Sequence, residues 1–380
     1  MPKLYDVLVI GAGQAGLAAG YHLQRANLSF AVLEGASELG GSWPHYYDNL
    51  ELFSPAGRSS LPGLPFPGKL QHYPARDEVV AYLRHYAHHF DLPIITDAHV
   101  TRVEQIAQGF RAITNRGTVY HTRSIIAATG AFHRPYLPQL PGQEIFAGRV
   151  LHAATYRNPA PFHGQRVVVV GAGNSAIQIG AELAKLAHVT LATRAPIRFR
   201  RQKLLGQDIH HWAWLLGLDR LPIGVFTAHA VSIGVLDTGV YQSAIAAGNP
   251  ERRPMFTHFI PRGVAWANGL EEPVDAVIYA TGYRPNLDYL ADIGALDADG
   301  QPYHRRGVST TVPGLAYVGL ANQWTYASAT IRGVGPDAAY IVQRLQRDLG
   351  LVAPTLAEQA SFAQRVFGNW RCCAGKEGAV

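Results

Sequence analysis

Cysteine is close to absent from this chain: Cys372 and Cys373 are the only two in 380 residues, adjacent and near the end. An adjacent pair builds no disulfide framework, and no CxxC occurs anywhere, so dithiol redox chemistry is excluded. Charge is also sparse, at 16% of residues, and no block of Lys and Arg reaches five. The net charge of +6 therefore does not build an extended nucleic-acid face. The densest basic cluster, Arg194, Arg198, Arg200, Arg201 and Lys203, reads as a local phosphate site. Long apolar runs are missing too. The stretch from Leu221 to Leu236 is too short to span a bilayer and contains Pro222 and His229. A strand that begins by residue 5 leaves no room for a signal peptide, so we expect a cytoplasmic protein. With 48% hydrophobic residues and this length, the chain has enough apolar surface for two domains, or three.

What is present organises itself around the first 34 residues. Tyr5 to Ile10 is a short β-branched run that feeds into Gly11-Ala12-Gly13-Gln14-Ala15-Gly16 and then an apolar helical pattern from Leu17 to Leu23. A second run, Phe30 to Leu33, closes on Glu34. Strand, glycine turn, helix, strand and acid together form the dinucleotide fingerprint. Gly11 serves the tight turn, Gly13 leaves no Cβ against a pyrophosphate, and Gly16 lets the helix pack close to the strand. The helix N-terminus faces the phosphates, and Glu34 is placed to accept from ribose hydroxyls.

After Glu34 comes Gly40-Gly41-Ser42-Trp43 and a loop rich in proline, glycine and aromatics as far as Tyr73; loops of that length inside a compact domain carry function. Helical spacing spans 76–90. His85 and His89 lie one turn apart there, but no carboxylate or cysteine accompanies them, and we expect no metal. The segments 99–103, 110–114 and 118–121 alternate as an antiparallel meander. The run 124–130 is a further buried strand, ending in Ala128-Thr129-Gly130.

At Gln165 the pattern restarts. A strand of four valines, Val167 to Val170, leads into Gly171-Ala172-Gly173-Asn174-Ser175-Ala176, a helix to about Ala187, and a strand ending at Thr193-Arg194. Arg194 follows Gly171 at the same interval at which Glu34 follows Gly11. An acid at this position accepts a free 2′-hydroxyl and repels a 2′-phosphate, whereas an arginine attracts the phosphate. The first seat is therefore expected to hold FAD or NAD, and the second NADPH. Without the fingerprint before it, Arg194 would read as a solvated charge. In the segment 204–240, Trp212, Trp214, Leu215 and Leu216 form a helix over the cofactor cleft or part of a core, and we read them as core.

A strand from Asp275 ends in Ala280-Thr281-Gly282-Tyr283, repeating the Ala-Thr-Gly turn of the first unit. Leu315 to Gly319 reads as one more buried strand, followed by a helix over 334–349. Thr355 to Glu358 reads as a capping box opening a last helix. The expected architecture is α/β with two dinucleotide-binding Rossmann-like domains, the second inserted into the first. Residues 1–160 form the first part of the FAD unit, 161–278 the NADPH unit, and 279–380 the returning part of the FAD unit.

These residues resemble the class B flavin monooxygenases, and within them the short bacterial flavin-containing monooxygenases. The resemblance runs over nearly the whole chain. Its most specific piece, Phe146-x-Gly148-x-x-x-His152-x-x-x-Tyr156, is similar to the family's identifying FxGxxxHxxx(Trp/Phe/Tyr) sequence. Gly40-Gly41-x-Trp43 looks like the family's flavin-loop element, and Ala280-Thr281-Gly282-Tyr283 like its linker. Two positions depart. Leu52-Phe53-Ser54-Pro55 puts Phe53 where much of the family carries an asparagine beside the flavin, and Tyr156 replaces the tryptophan usual in Baeyer–Villiger relatives.

The resemblance implies FAD and NADPH as cofactors. Gly11, Gly13, Gly16, Glu34, Gly41, Trp43, Thr129 and Gly130 would then serve the flavin, and Gly171, Gly173, Asn174, Ser175, Thr193, Arg194, Thr281 and Gly282 the nicotinamide side. Phe53, His152 and Tyr156 would stand at the catalytic centre. It also implies hydride transfer from NADPH to the flavin, a C4a-(hydro)peroxyflavin, and transfer of one oxygen from O₂ to a small sulfide or amine, or to a ketone. The partners are then a small-molecule substrate and O₂, with neither nucleic acid nor membrane, and a homodimer is compatible with this organisation. The rival readings are an NADPH-dependent flavoprotein reductase or oxidase that does not oxygenate, and a protein that binds nucleotides only to sense them.

Overall fold

The structure, a computed structural model, describes residues 3–222 and 234–351. The first strand, Leu4–Ile10, is apolar and β-branched toward its end, and its last four residues are buried on both faces. That is the pattern of a central parallel strand. Phe30–Leu33 lies parallel beside it, with Val7 opposite Phe30 and Ile10 opposite Leu33. On its other side runs Val119–Ala127, also parallel. The sheet continues from there to Leu315–Tyr317, so the chain returns after its second fingerprint to complete the first sheet.

The meander expected over 99–121 is present as Val100–Ile106, Gly109–Thr114 and Val119–Ala127. Its third strand and the buried run 124–130 are not two elements, however. One nine-residue strand pairs antiparallel with Gly109–Thr114 over Val119 to Thr122 and parallel with Leu4–Ile10. Thr122 and Ser124 are buried polar residues in the middle of this strand, and they mask its continuity in the sequence.

The second sheet is fully parallel, in the order Glu251–Pro254, His188–Thr193, Arg166–Val170, Ala276–Tyr279, Arg149–His152. It is entered and left by the chain between strands of the first sheet, which makes it the inserted Rossmann-like unit of an α/β fold. The strand Arg149–His152 lies within residues 1–160 yet pairs in this second sheet. Three short antiparallel strands between His258 and Pro273 complete this unit.

The helices cover the sheets where their apolar faces require it. Gln14–Arg25 and Ile331–Asp348 pack together over the first sheet, sharing a core with Arg76–His89 that includes Leu17, Leu23, Val79, Leu83, Tyr86, Val334 and Ile341. Leu17, Leu83, Val334 and Ile341 are wholly buried, each contributing ~1.5–3 kcal/mol of apolar transfer. The last of these helices begins at Ile331, three residues earlier than its sequence suggests. Gly333, Gly335 and Pro336 look like breakers, but burial of Ile331, Gly333 and Val334 against the core overrides their low propensity. The capping box at Thr355 and the two cysteines lie outside the described residues.

The core reading of Trp214, Leu215 and Leu216 is corrected. They lie on a seven-residue helix, Ile209–Leu215, and just beyond it, and are exposed by 54, 56 and 67%. The helix docks through His210 and Ala213, and Trp214 faces the guanidinium of Arg58 at 3.9 Å.

Candidate active site

The first nucleotide seat is built by close backbone approach. A Cβ on Gly11, whose φ is +102°, would lie 2.6 Å from the Ala128 carbonyl oxygen, and one on Gly16 would lie 1.8 Å from the Gly11 oxygen. Both glycines are thus required by the protein itself. Gly13 is different, since a Cβ there would meet only the Gly41 Cα, at 3.9 Å. The space over Gly13 is left open, as a pyrophosphate needs. The helix Gln14–Arg25 has no side-chain cap and no acid in its first turn, so its N-terminal N–H groups remain available to an anion. Glu34 is nearly buried and accepts from the backbone N–H groups of Ala12 (2.8 Å) and Ala36 (3.0 Å). It thereby ties the strand end to the glycine turn. Trp43 donates from Nε1 to the Gln14 side chain (2.9 Å), which in turn donates to the Ala329 carbonyl (3.3 Å). The Gly40–Trp43 loop and the entrance of the last helix are therefore both fastened to the fingerprint. These residues fit FAD.

The second seat repeats the geometry. A Cβ on Gly171 would lie 2.5 Å from the Ala280 oxygen, while one on Gly173 would meet nothing within 4 Å. Asn174 and Ser175 open the next helix, Asn174–Leu183, again without a side-chain cap or an acid. Thr193 is buried at the end of its strand, and its hydroxyl accepts from Arg252 Nε at 3.2 Å. Arg194 is exposed beyond it. Arg252 is a second cation beside the end of this strand. Sequence reasoning missed it because it arrives from the neighbouring strand Glu251–Pro254, with Arg252 opposite Leu191 and Pro254 opposite Thr193.

Each Ala-Thr-Gly turn is hydrogen-bonded to the segment that follows the other. Thr129 donates to the Asn286 carbonyl (2.6 Å), and the Asn286 N–H donates back to Gly130 (2.9 Å). Thr281 donates to the Tyr136 carbonyl, and Tyr136 N–H donates to Gly282 (2.9 Å). His152 completes this connector. Its Nδ1 accepts from Ala154 N–H (3.0 Å), so Nε2 carries the proton and donates to Gly282 (3.1 Å). Burial pushes this imidazole below its ordinary range, against the opposing effect of the Gly282 bond. Both nitrogens are thus held by main chain. Tyr156 is also enclosed, its hydroxyl donating to Glu182 at 2.9 Å, and Glu182 accepts in addition from Asn49 at 2.5 Å. His152 is thus tied to the Ala-Thr-Gly turn of its own sheet, and Glu182 links Tyr156 to Asn49 of the first unit.

Phe53 is placed elsewhere. Its carbonyl accepts from the Gln202 amide at 2.9 Å, and its ring lies 5.9 Å from that of His210. Gln202 and His210 belong to an excursion of the second unit that reaches over the flavin-side loop, an arrangement not legible in the sequence. At its centre Asp208, buried, accepts four hydrogen bonds. Tyr73 hydroxyl and Gln202 Nε2 donate to Oδ2, each at 2.5 Å; His210 N–H (2.8 Å) and Nδ1 (2.6 Å) donate to Oδ1. Burial alone would raise this carboxyl, but the bonds from His210, Tyr73 and Gln202 outweigh it and hold it at about 2.

Two nucleotide seats, on two sheets tied together through the segments that follow their Ala-Thr-Gly turns, define a two-dinucleotide flavoprotein oxidoreductase. Residues 8–213 match the model of the pyridine nucleotide-disulphide oxidoreductase family, and the chain belongs to that family. An uncharacterized CzcO-like oxidoreductase of Geobacillus kaustophilus is 35% identical, over 90% of this chain and 98% of its own. The indole-3-pyruvate monooxygenase YUCCA4 of rice, Oryza sativa, is 29% identical, over 91% of this chain and 89% of its own. Among solved structures, the flavin-containing monooxygenase from Stenotrophomonas maltophilia is similar with a TM-score of 0.81 and 36% identity, covering 91% of this chain and 99% of that one. The flavin monooxygenase resemblance and the inserted Rossmann-like fold are thereby shown, and the cofactors are FAD and NADPH. The protein is an FAD-dependent, NAD(P)H-using enzyme of the flavoprotein monooxygenase type. Among the described residues no helix is long and apolar enough to cross a membrane.

Proposed function

We propose that this chain is an NADPH-dependent monooxygenase that forms a C4a-(hydro)peroxyflavin and passes one oxygen atom of O₂ to a small sulfide or amine, or to a ketone, in the cytoplasm. The observation that carries this reading is the pair of open seats, over Gly13 and Gly173, on units whose Ala-Thr-Gly turns are each hydrogen-bonded to the segment that follows the other, Thr129 to Asn286 and Thr281 to Tyr136. FAD would supply the redox chemistry. Gly11, Gly16, Gly41, Trp43 and Glu34 shape its seat, and Thr129 and Gly130 join that seat to the connector. Asn174 and Ser175 present a helix N-terminus to the second nucleotide, with Thr193, Arg194 and Arg252 around its ribose. His152 and Tyr156 act as positioning residues. His152 locks the signature segment to the Thr281–Gly282 turn, and Tyr156 fixes the helix bearing Glu182. With no CxxC in the chain, electrons have no dithiol to pass to, which favours O₂ as their acceptor.

One observation favours a second reading. Phe53 offers no side-chain donor where a flavin-side amide is usual in the resembling family, which suits an oxidase that releases H₂O₂. Both readings are tested together by NADPH consumption over a panel of sulfides, amines and ketones, with product and H₂O₂ quantified. Product accounting for most of the NADPH supports oxygenation. H₂O₂ matching the NADPH consumed on every substrate overturns it.

A further inference from the structure

A buried ionised carboxylate with four donors is costly to assemble and needs a reason. Helix capping explains one of the four bonds on Asp208, the one from His210 N–H. It does not explain why Tyr73 from the flavin-side loop and Gln202 from a separate strand end both converge on Oδ2. Nor does it explain why His210, only 2% exposed, turns Nδ1 onto the same carboxylate. The consequence of that last bond is chemical. A carboxylate can only accept, so Nδ1 carries a proton, the tautomer is set, and Nε2 is the nitrogen left to exchange one. Among the described residues Nε2 makes no hydrogen bond. The signature histidine, His152, has both nitrogens committed to main chain.

From this we propose that His210, oriented by Asp208, is the acid–base residue at the flavin end of the cleft and supplies the proton taken up by reduced oxygen. The proposal rests on the reading that places Phe53 beside the flavin. The reaction requires such a proton. NADPH, O₂, substrate and one H⁺ become NADP⁺, oxygenated substrate and water, so one proton enters from solvent in each turnover. His210 Nε2 releases it to the oxygen that leaves as water, the N–H bond breaking as the new O–H bond forms, and Nε2 is reprotonated from solvent. If oxygen leaves instead as H₂O₂, one proton is consumed likewise. Asp208 is the positioning residue: it holds Nδ1 and, through Gln202, the Phe53 carbonyl.

The titratable groups around His210 come from both units. Asp208 and His211 lie on its own segment, and Tyr73 and Arg58 on the flavin-side loop. Arg58 is hydrogen-bonded to His211 Nδ1 at 3.3 Å and stacked on Trp214, and Asp219 acts on Arg58 from further along the excursion. Burial raises the Tyr73 hydroxyl, and the Asp208 bond raises it further, so it stays a neutral donor. Arg58 keeps its charge at any working pH. His211 is the other imidazole of this group, and His211→Gln serves as the control.

The test uses FAD-loaded protein, reduced anaerobically by NADPH and then mixed with oxygenated buffer between pH 5 and 9. Flavin reoxidation is followed in wild type, His210→Gln, Asp208→Asn and His211→Gln. Removing a general acid costs about 10²–10⁴-fold, so His210→Gln should slow reoxidation at least a hundredfold and abolish one limb of its pH profile. Asp208→Asn should shift that limb, and His211→Gln should leave it in place. Long-range ¹H–¹⁵N spectra of wild type labelled with ¹⁵N-histidine should independently show His210 protonated at Nδ1. A His210→Gln profile that matches wild type within twofold, or a resonance showing the Nε2–H tautomer, overturns the proposal. If product never forms while reoxidation yields H₂O₂ only, the oxygenation reading fails, and the His210→Gln profile still decides the present one.

Discussion

Gly11 lies against the carbonyl oxygen of Ala128, where an added Cβ would come within 2.6 Å, and Gly171 stands to Ala280 in the same relationship at 2.5 Å. The first glycine of each fingerprint is thus demanded by the Ala-Thr-Gly turn of its own unit, because that turn ends the neighbouring parallel strand. The two motifs lie far apart in sequence and form one structural feature.

The glycines of the first fingerprint should separate by experiment. Gly16→Ala forces a Cβ to 1.8 Å from backbone, a clash that no side-chain movement relieves, and should yield little folded protein. Gly13→Ala meets only an ordinary contact at 3.9 Å. Its flavin-free form should melt within a few degrees of flavin-free wild type, yet bind FAD at least tenfold more weakly, since the methyl group enters the pyrophosphate space. Thermal melts with flavin titration check this, and unchanged FAD affinity would place the pyrophosphate elsewhere.

Nicotinamide choice should depend on Arg194 and Arg252 together. A charge-assisted bond to a 2′-phosphate contributes about 1.5–3 kcal/mol, or on the order of ten- to a hundredfold in kcat/KM. Arg194→Ala should lower NADPH use by that factor and leave NADH use nearly unchanged. Arg252→Ala should do the same more weakly, because its Nε is already bonded to Thr193. Equal losses with both cofactors would remove Arg194 from phosphate reading.

Phe53→Asn should raise the ratio of product to H₂O₂. The Phe53 carbonyl is held by Gln202 through the main chain, so the substitution changes the side chain while leaving that anchor in place. An amide there adds a donor worth about 0.5–1.5 kcal/mol, a few-fold in coupling. Stopped-flow spectra and peroxide assays provide the measurement, and an unchanged ratio contradicts the assignment.

Asp337 makes stability pH-dependent. It is buried in the helix Ile331–Asp348, and its Oδ2 has no hydrogen-bond partner among the described residues. Burial raises its carboxyl from 3.8 to about 6, against the smaller lowering effects of Ser328 and Arg306. A raised acid binds its proton more tightly in the folded state, so its contribution is fully present below pH ~4 and is lost as pH rises through about 6. The loss amounts to on the order of 3 kcal/mol by neutral pH. Asp337→Asn should therefore be more stable than wild type at pH 7, with the difference vanishing near pH 4. Chemical denaturation at the two pH values tests this, and parallel stabilities would disprove it.

Much of the fold was legible because its signals are local. Tyr5 to Ile10 and Val167 to Val170 announce buried parallel strands by composition, and each glycine turn with its acid or arginine lies within a few dozen residues. Glu34 and Arg194 could be compared because both units count the same residues from turn to strand end. The repeated Ala-Thr-Gly turn marked two related units, and the lack of a fingerprint after the second pointed to the inserted order.

What the sequence could not determine depends on contacts between distant segments. Trp214 reads as core by hydrophobicity, yet it stands in solvent because a seven-residue helix has room to bury only one narrow face. Arg252 comes beside Thr193 through strand pairing, which leaves no trace in local spacing. The catalytic-looking His152 spends both nitrogens on main chain. Asp208, unremarked in the sequence, gathers Tyr73, Gln202 and His210 from three separate places. Periodicity and turn chemistry are written along the chain and set the two nucleotide seats. A buried charge is tolerated only where donors converge in space, so the Asp208–His210 pair was decided by the tertiary fold.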